Sequence, residues 1–154
     1  MKKIWLILTL VLSLNAQEGG TKKVVYDLTT GSIEKFSRTI LGGIVFQKSH
    51  YESKMEEVDA VVVVHGEAYR FFLKSLENTK FATDSNLSGM HPDLLKRLES
   101  LHKNYGVTFK ACQAGLKNHR LVPVQLVDYV ELIPSSTTGL IDAQNDGYAY
   151  IPIH

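Results

Sequence analysis

Val58–Val64 (VDAVVVV) is the segment that most limits what this chain can become. It is apolar almost without interruption, whereas a strand with one wet face alternates apolar and polar residues. Continuous apolarity over seven residues therefore predicts a strand covered on both faces, the usual condition of a parallel sheet. A parallel sheet needs crossover helices, and the rest of the chain supplies them in alternation with further strands.

Lys23–Leu28 (KVVYDL) reads as a first strand, with Thr29-Thr30-Gly31 as its turn. Ser32 offers a helix cap, and Ile33, Phe36, Ile40, Ile44 and Tyr51 recur at helical spacing to about residue 51. Gly42-Gly43 in that helix are expected to let it pack closely on the sheet. After Val58–Val64, His65-Gly66 ends the strand, and Glu67–Leu76 is predicted as a short helix with Tyr69, Phe72, Leu73 and Leu76 on one side. Asn78–Met90 is polar and reads as an irregular connection, a candidate lid or subunit contact. Pro92 suits the first turn of a helix whose stripe is Leu94, Leu95, Leu98, Leu101 and Tyr105, with Gly106 as its stop. Val107–Ala111 is the next strand and Cys112 follows it; Gln113–Asn118 is a helical turn. Tyr129–Ile133 is a strand ended by Pro134-Ser135-Ser136. Thr137–Asn145 is a short helix burying Leu140 and Ile141, and Gly147 stops it. Tyr148–Ile153 is the last strand, and Pro152 assigns it to an edge. The alternation predicts an α/β fold with helices on both faces of the sheet.

The N-terminus has another logic. Lys2-Lys3 precede an eleven-residue apolar run, Ile4–Leu14, and Asn15-Ala16 offer a small residue before a cut. A spanning helix needs about 20 apolar residues. The layout is that of a secretory signal peptide over residues 1–16, followed by one domain over 17–154, and it predicts a periplasmic protein with no stable membrane insertion after cleavage. Cleavage removes Trp5, the one tryptophan. It also removes two lysines, so 17 basic against 16 acidic residues become 15 against 16, and the formal charge moves from +1 to −1. Neither balance suits nucleic acid. The single cysteine excludes an intramolecular disulfide and a cysteine-rich zinc site. His50, His91, His102, His119 and His154 show no metal-ligand spacing, and no cofactor motif is present.

In parallel sheets ligands bind beyond the carboxyl ends of the strands. That rule gathers Thr29, Thr30, Gly31, His65, Gly66, Cys112, Gln113, Pro134, Ser135 and Ser136 on one edge. Cys112 and His65 are the candidates for chemistry there, and the others, Ser136 apart, are candidates to line the pocket. Thr29-Thr30-Gly31 lacks the phosphate-binding loop pattern and reads as a plain turn. Tyr148 and Tyr150 share one face of the last strand and read as a core or subunit contact.

Val62-Val63-Val64-His65-Gly66, then Gly106 to Cys112 (GVTFKAC), then Gly147 to Ile151 (GYAYI) together resemble the DsrE/DsrF-like family over about residues 22–153. The resemblance implies a three-layer α/β/α sandwich with a mainly parallel five-stranded sheet. It implies homo-oligomers, often trimers or hexamers. It also implies sulfur carried as a persulfide on a cysteine and passed to or from a donor or acceptor protein, with Cys112 in the position of the family's frequent cysteine. Gln113-Ala114-Gly115-Leu116 departs from the Asn-Thr-like residues many relatives have after that cysteine.

A sulfur carrier needs a reactive thiolate. The start of the turn Gln113–Asn118, with Lys117 or His119 as a nearby charge, would lower the pKa of Cys112. His65 could pair with Cys112 or a ligand, or bond a neighbouring loop. The leading expectation is an exported sulfur carrier working through Cys112 with His65 lining the site. The alternative is a non-enzymatic periplasmic oligomer that binds a small ligand or metal and keeps Cys112 as a structural residue, since cysteine is among the most buried residue types.

Overall fold

The computed structural model describes residues 20–154. The expected export segment, residues 1–16, lies outside them.

Five parallel strands form one sheet: β1 (Lys22–Leu28), β2 (Val58–Val64), β3 (Thr108–Cys112), β4 (Val130–Ile133) and β5 (Ala149–Ile153), in the order β4-β3-β2-β1-β5. β2 is central, and all but one of its residues are buried, as its unbroken apolarity requires. β5 lies at the edge, where Pro152 leaves no ladder donor missing from the interior.

Alternation along the strands sorts their side chains onto two faces. Val24, Tyr26, Leu28, Ala60, Val62, Val64, Phe109 and Ala111 enter the larger core cluster, beneath helices that follow β1 and β2. Val25, Val61 and Val63 form a smaller cluster with Ala143 of α5 (Ser136–Asn145). Helices thus cover both faces of the sheet, the three-layer architecture.

The helix after β1 is not uniform. It runs as α1 (Ile33–Phe36), a π-helical turn (Ser37–Gly42) and α2 (Gly43–Glu52). Ser32 caps it by accepting from the Lys35 amide. Gly42-Gly43 do not pack on the sheet, because Gly42 is exposed. They close the widened turn instead: a Cβ on Gly43 would come within 3.2 Å of the Arg38 carbonyl.

The segment after β2 is a 3₁₀ helix, Gly66–Phe71, shorter than the expected helix to Leu76; Tyr69, Phe72, Leu73 and Leu76 are buried as expected. α3 (Ser85–Tyr105) starts well before Pro92, so Ser85–Met90 are helical and the irregular connection shrinks to residues 78–84. Asp84 sets the start by accepting from the Leu87 amide at 2.9 Å. Leu87, His91, Leu94, Leu98 and Leu101 carry one buried stripe through Pro92, which costs the helix one backbone bond. Gly106 ends α3 at φ 62°. In α5, Ile141 is 52% exposed rather than buried, and Leu140 is half-buried, because the smaller cluster needs only Ala143 and the inner edge of the helix.

Candidate functional site

Cys112 is the last residue of β3 and the N-cap of α4 (Gln113–Asn118). Its sulfur accepts from the Gly115 amide at 3.4 Å. β4 pairs with β3 so that Ile133 lies beside Cys112, and the Ala114 amide donates to the Pro134 carbonyl at 3.3 Å. This draws the start of α5 over the thiol, where the amide and hydroxyl of Ser136 also address the sulfur. Ser135 caps α5 through the Thr138 amide at 3.1 Å. From the other side the Tyr69 hydroxyl donates to the Cys112 carbonyl at 2.6 Å.

These groups set the acidity of the thiol. Burial pushes its pKa up, since the residue is 6% exposed, but the Gly115 and Ser136 amides, then the Tyr69 and Ser136 hydroxyls, bring it below the ordinary thiol value. Burial also raises the pKa of Tyr69, which keeps its phenol a donor. Gly115 is required here, because a Cβ would collide with the Tyr69 hydroxyl. The cation expected from Lys117 or His119 is not what stabilises the thiolate. His119 meets the edge of the Tyr69 ring at 5.3 Å, and burial together with Lys80 lowers its pKa, against the pull of Glu67.

His65 stands one residue beyond β2. In register, Val64 faces Ala111, so His65 and Cys112 follow at the carboxyl ends of adjacent strands. The imidazole nevertheless turns the other way, toward β1. Its Nε2 lies 2.6 Å from Asp27 Oδ1, and Asp27 Oδ2 accepts from the Tyr150 hydroxyl at 2.7 Å. Asp27 belongs to the α5 face by alternation with Val25, and it is only 6% exposed. Tyr148 likewise donates to the carboxylate of Asp59. The two tyrosines on one face therefore tie β5 to buried or half-buried carboxylates.

The expected pocket-lining residues divide between these two centres. Gln113 follows Cys112 at the start of α4, and Pro134 and Ser135 lie on the β4 side of it. Thr29, Thr30, Gly31 and Gly66 belong to the other side. The amides of Thr29 and Thr30 donate to the Ile153 carbonyl, Thr29 Oγ1 meets His154 Nδ1 at 2.9 Å, and the Gly31 carbonyl accepts from Arg70 at 3.2 Å. Gly66 sits at φ 59° with the Thr29 carbonyl 3.2 Å from where a Cβ would be, so only glycine fits without strain. Asp27, Tyr69 and Gly115 were not among the expected site residues, and Ser136 was expected on this edge but not as a partner of the sulfur. Asp27 had a signal as the lone acid of its strand, as Asp59 is in Val58–Val64. Among the described residues no group of three or more His, Cys, Asp or Glu is placed to hold a metal ion, and no helix is long and apolar enough to cross a membrane.

Comparison with known proteins places this arrangement. A model of the DsrE/DsrF-like family matches residues 23–153. An uncharacterised protein of Aquifex aeolicus (strain VF5) is 28% identical over 159 residues, a match covering 99% of this chain and 64% of that protein. The chain therefore spans about two-thirds of that relative's length. The solved structure of a Methanobacterium thermoautotrophicum protein of unknown function superposes with a TM-score of 0.59 at 20% identity, over 85% of this chain and 98% of the other. That likeness is one of fold.

Proposed function

Because the chain belongs to the DsrE/DsrF-like family, we propose that it is a sulfur carrier that holds sulfane sulfur as a persulfide on Cys112. The observation that carries the reading is the thiol itself: a lone cysteine capping α4, with the Gly115 amide donating to its sulfur and a pKa below the ordinary value. In this reading the Cys112 thiolate attacks the sulfane sulfur of a polysulfide. A new S–S bond forms, the donor's S–S bond breaks, and its electron pair leaves with the shortened polysulfide. An acceptor thiolate then attacks the outer sulfur, and Cys112 departs as a thiolate. The exchange is redox-neutral, and with one cysteine in the chain the acceptor thiol comes from a second molecule. The amides of Gly115 and Ser136 stabilise the thiolate both as nucleophile and as leaving group. His65, fixed by Asp27, is the polar group at the neighbouring strand end available to a bound donor or acceptor.

The proposal includes export by residues 1–16, a periplasmic location and a homo-oligomeric assembly. Intact mass of protein recovered from the exporting host reads the cleavage, and retained Trp5 emission counts against it. For the chemistry, the protein is incubated with polysulfide and weighed. Addition of one sulfur atom to the wild type and none to Cys112→Ser is expected. The same adduct on both proteins, or on neither, overturns the reading.

One observation favours a second reading. Cys112 is buried within the larger core cluster, as a structural cysteine would be. The protein would then be a non-enzymatic binding protein whose thiol reacts slowly with alkylating reagents in the native state.

A further inference from the structure

A cleft of about 470 Å³ opens between the turn at residues 78–80 and the end of α4. Its lining is Asn78, Thr79, Lys80, Asn118, His119 and Arg120: two cations, two carboxamides, a hydroxyl and an imidazole, with no carboxylate and no apolar side chain. We propose that this cleft is a binding site for a small solute bearing an oxyanion head, a phosphate or sulfate-type group.

Three observations carry the assignment. The first is charge, one cation of it unpaired. Among the described residues Arg120 is in no salt bridge, while Lys80 is 2.7 Å from Glu67, which stands outside the cleft lining. An arginine fork beside a lysine matches a multi-oxygen anion, and the carboxamides and hydroxyl supply further donors.

The second is a polar atom left over. His119 Nδ1 is buried and has no hydrogen-bond partner; the nearest carboxylate oxygen, Glu67 Oε1, is 3.9 Å away. Such orphans are rare in folded proteins and cost stability. An anion that draws Lys80 toward itself releases Glu67, which then needs to move by only about one ångström to reach hydrogen-bond distance of the imidazole.

The third is the backbone. The Leu121 amide donates to the Leu116 carbonyl and the Arg120 amide to the Lys117 carbonyl, both at 3.0 Å. These bonds make a Schellman cap and occupy the Leu116 and Lys117 carbonyls near the end of α4. Glycine is the usual residue at the left-handed position of that motif. This chain has Arg120 there, at φ 55°, and Asn78 across the cleft is also left-handed at φ 58°. For arginine that conformation is strained, so glycine at position 120 would relieve the strain while removing the guanidinium.

That last point supplies a clean test. The full chain is titrated separately with inorganic phosphate, sulfate, thiosulfate and acetate at constant ionic strength, and followed by NMR. Saturable shifts of the His119 ring and of the Asn78 and Arg120 amides are expected with the tetrahedral anions, and weaker ones with acetate. The order among phosphate, sulfate and thiosulfate distinguishes the source of the head group. Arg120→Gly is expected to melt at the same or a higher temperature than the wild type and to bind about tenfold more weakly or worse. Lys80→Gln is expected to weaken binding as well. Cys112→Ser is expected to bind as the wild type does, which separates this site from sulfur carrying at Cys112. Absence of saturation at tens of millimolar, or equal affinity in Arg120→Gly and the wild type, overturns the proposal.

Discussion

Two centres share the carboxyl edge of this sheet, and they are built from different materials. At the β3–β4 side the thiol of Cys112 is held by the main-chain amide of Gly115, and the amide of Ser136 also lowers its pKa. At the β1–β5 side a buried carboxylate, Asp27, is held by two side chains, the imidazole of His65 and the phenol of Tyr150. The first centre depends on where the backbone goes, so most of its side chains could change while the thiolate kept its donors. The second depends on three side chains from three separate stretches of chain, each of which must be the right one. A backbone-built cradle suits a group that changes its charge and its attached sulfur in turn. A side-chain network suits a fixed orientation.

The largest effect is expected at the first centre, from Gly115→Ala. The added methyl displaces the Tyr69 hydroxyl, which is fully buried and bonded to the Cys112 carbonyl. Overpacking of this kind costs about 1–3 kcal/mol, to be read from urea unfolding, and thiol labelling should change with it. An unchanged midpoint would show that Tyr69 can swing away and that the cradle is looser than drawn.

Asp27→Ala comes next. It leaves the His65 imidazole and the Tyr150 hydroxyl without their acceptor, and because both reach some water the loss is about 1–2 kcal/mol. Labelling of Cys112 is the informative second readout. Rates within twofold of the wild type mean that the two centres are independent. A several-fold fall means that the His65 pair acts on the thiol and that the edge is one site. Tyr150→Phe tests the same network more gently. It removes one hydrogen bond at a residue 42% exposed, for about 0.5–1 kcal/mol.

This contrast also explains what could be read from the sequence. The strands were legible because burial on both faces leaves a continuous apolar signature, as in Val58–Val64. Cys112 and His65 were legible as strand-end residues because the sheet is parallel. Their pairings were not, even for Ser136, which the same rule placed on that edge. Asp27 reaches His65 across the β1–β2 pairing, and Ser136 reaches Cys112 only because β4 lies beside β3. Neither relation has a sequence spacing. Local signals misled where tertiary packing overruled them. Pro92 marks a helix start by propensity, yet the Leu87–His91–Leu94 stripe and the Asp84 cap carry α3 through it. Gly42-Gly43 suggested close packing, and the π turn uses them instead.

The smallest change in stability, with a clear change in chemistry, is expected from Ser136→Pro. Ser136 is the first residue of α5, and Ser135 before it is extended at φ −148° and ψ 154°, so proline fits both positions. The substitution removes one amide and one hydroxyl from the sulfur and leaves the Ser135 cap in place. Thiolate at neutral pH should fall, and labelling should slow several-fold while the neutral-pH midpoint hardly moves. The pH dependence fixes the sign. The folded protein lowers the Cys112 pKa, so the thiolate contributes stability that is fully present above the unfolded value of about 8.5 and is lost as pH falls through the folded one. Wild type should therefore gain on Ser136→Pro as pH rises through that window. Parallel curves across it would mean that the Ser136 donors do not hold the thiolate, and the backbone-built half of the comparison would lose its basis.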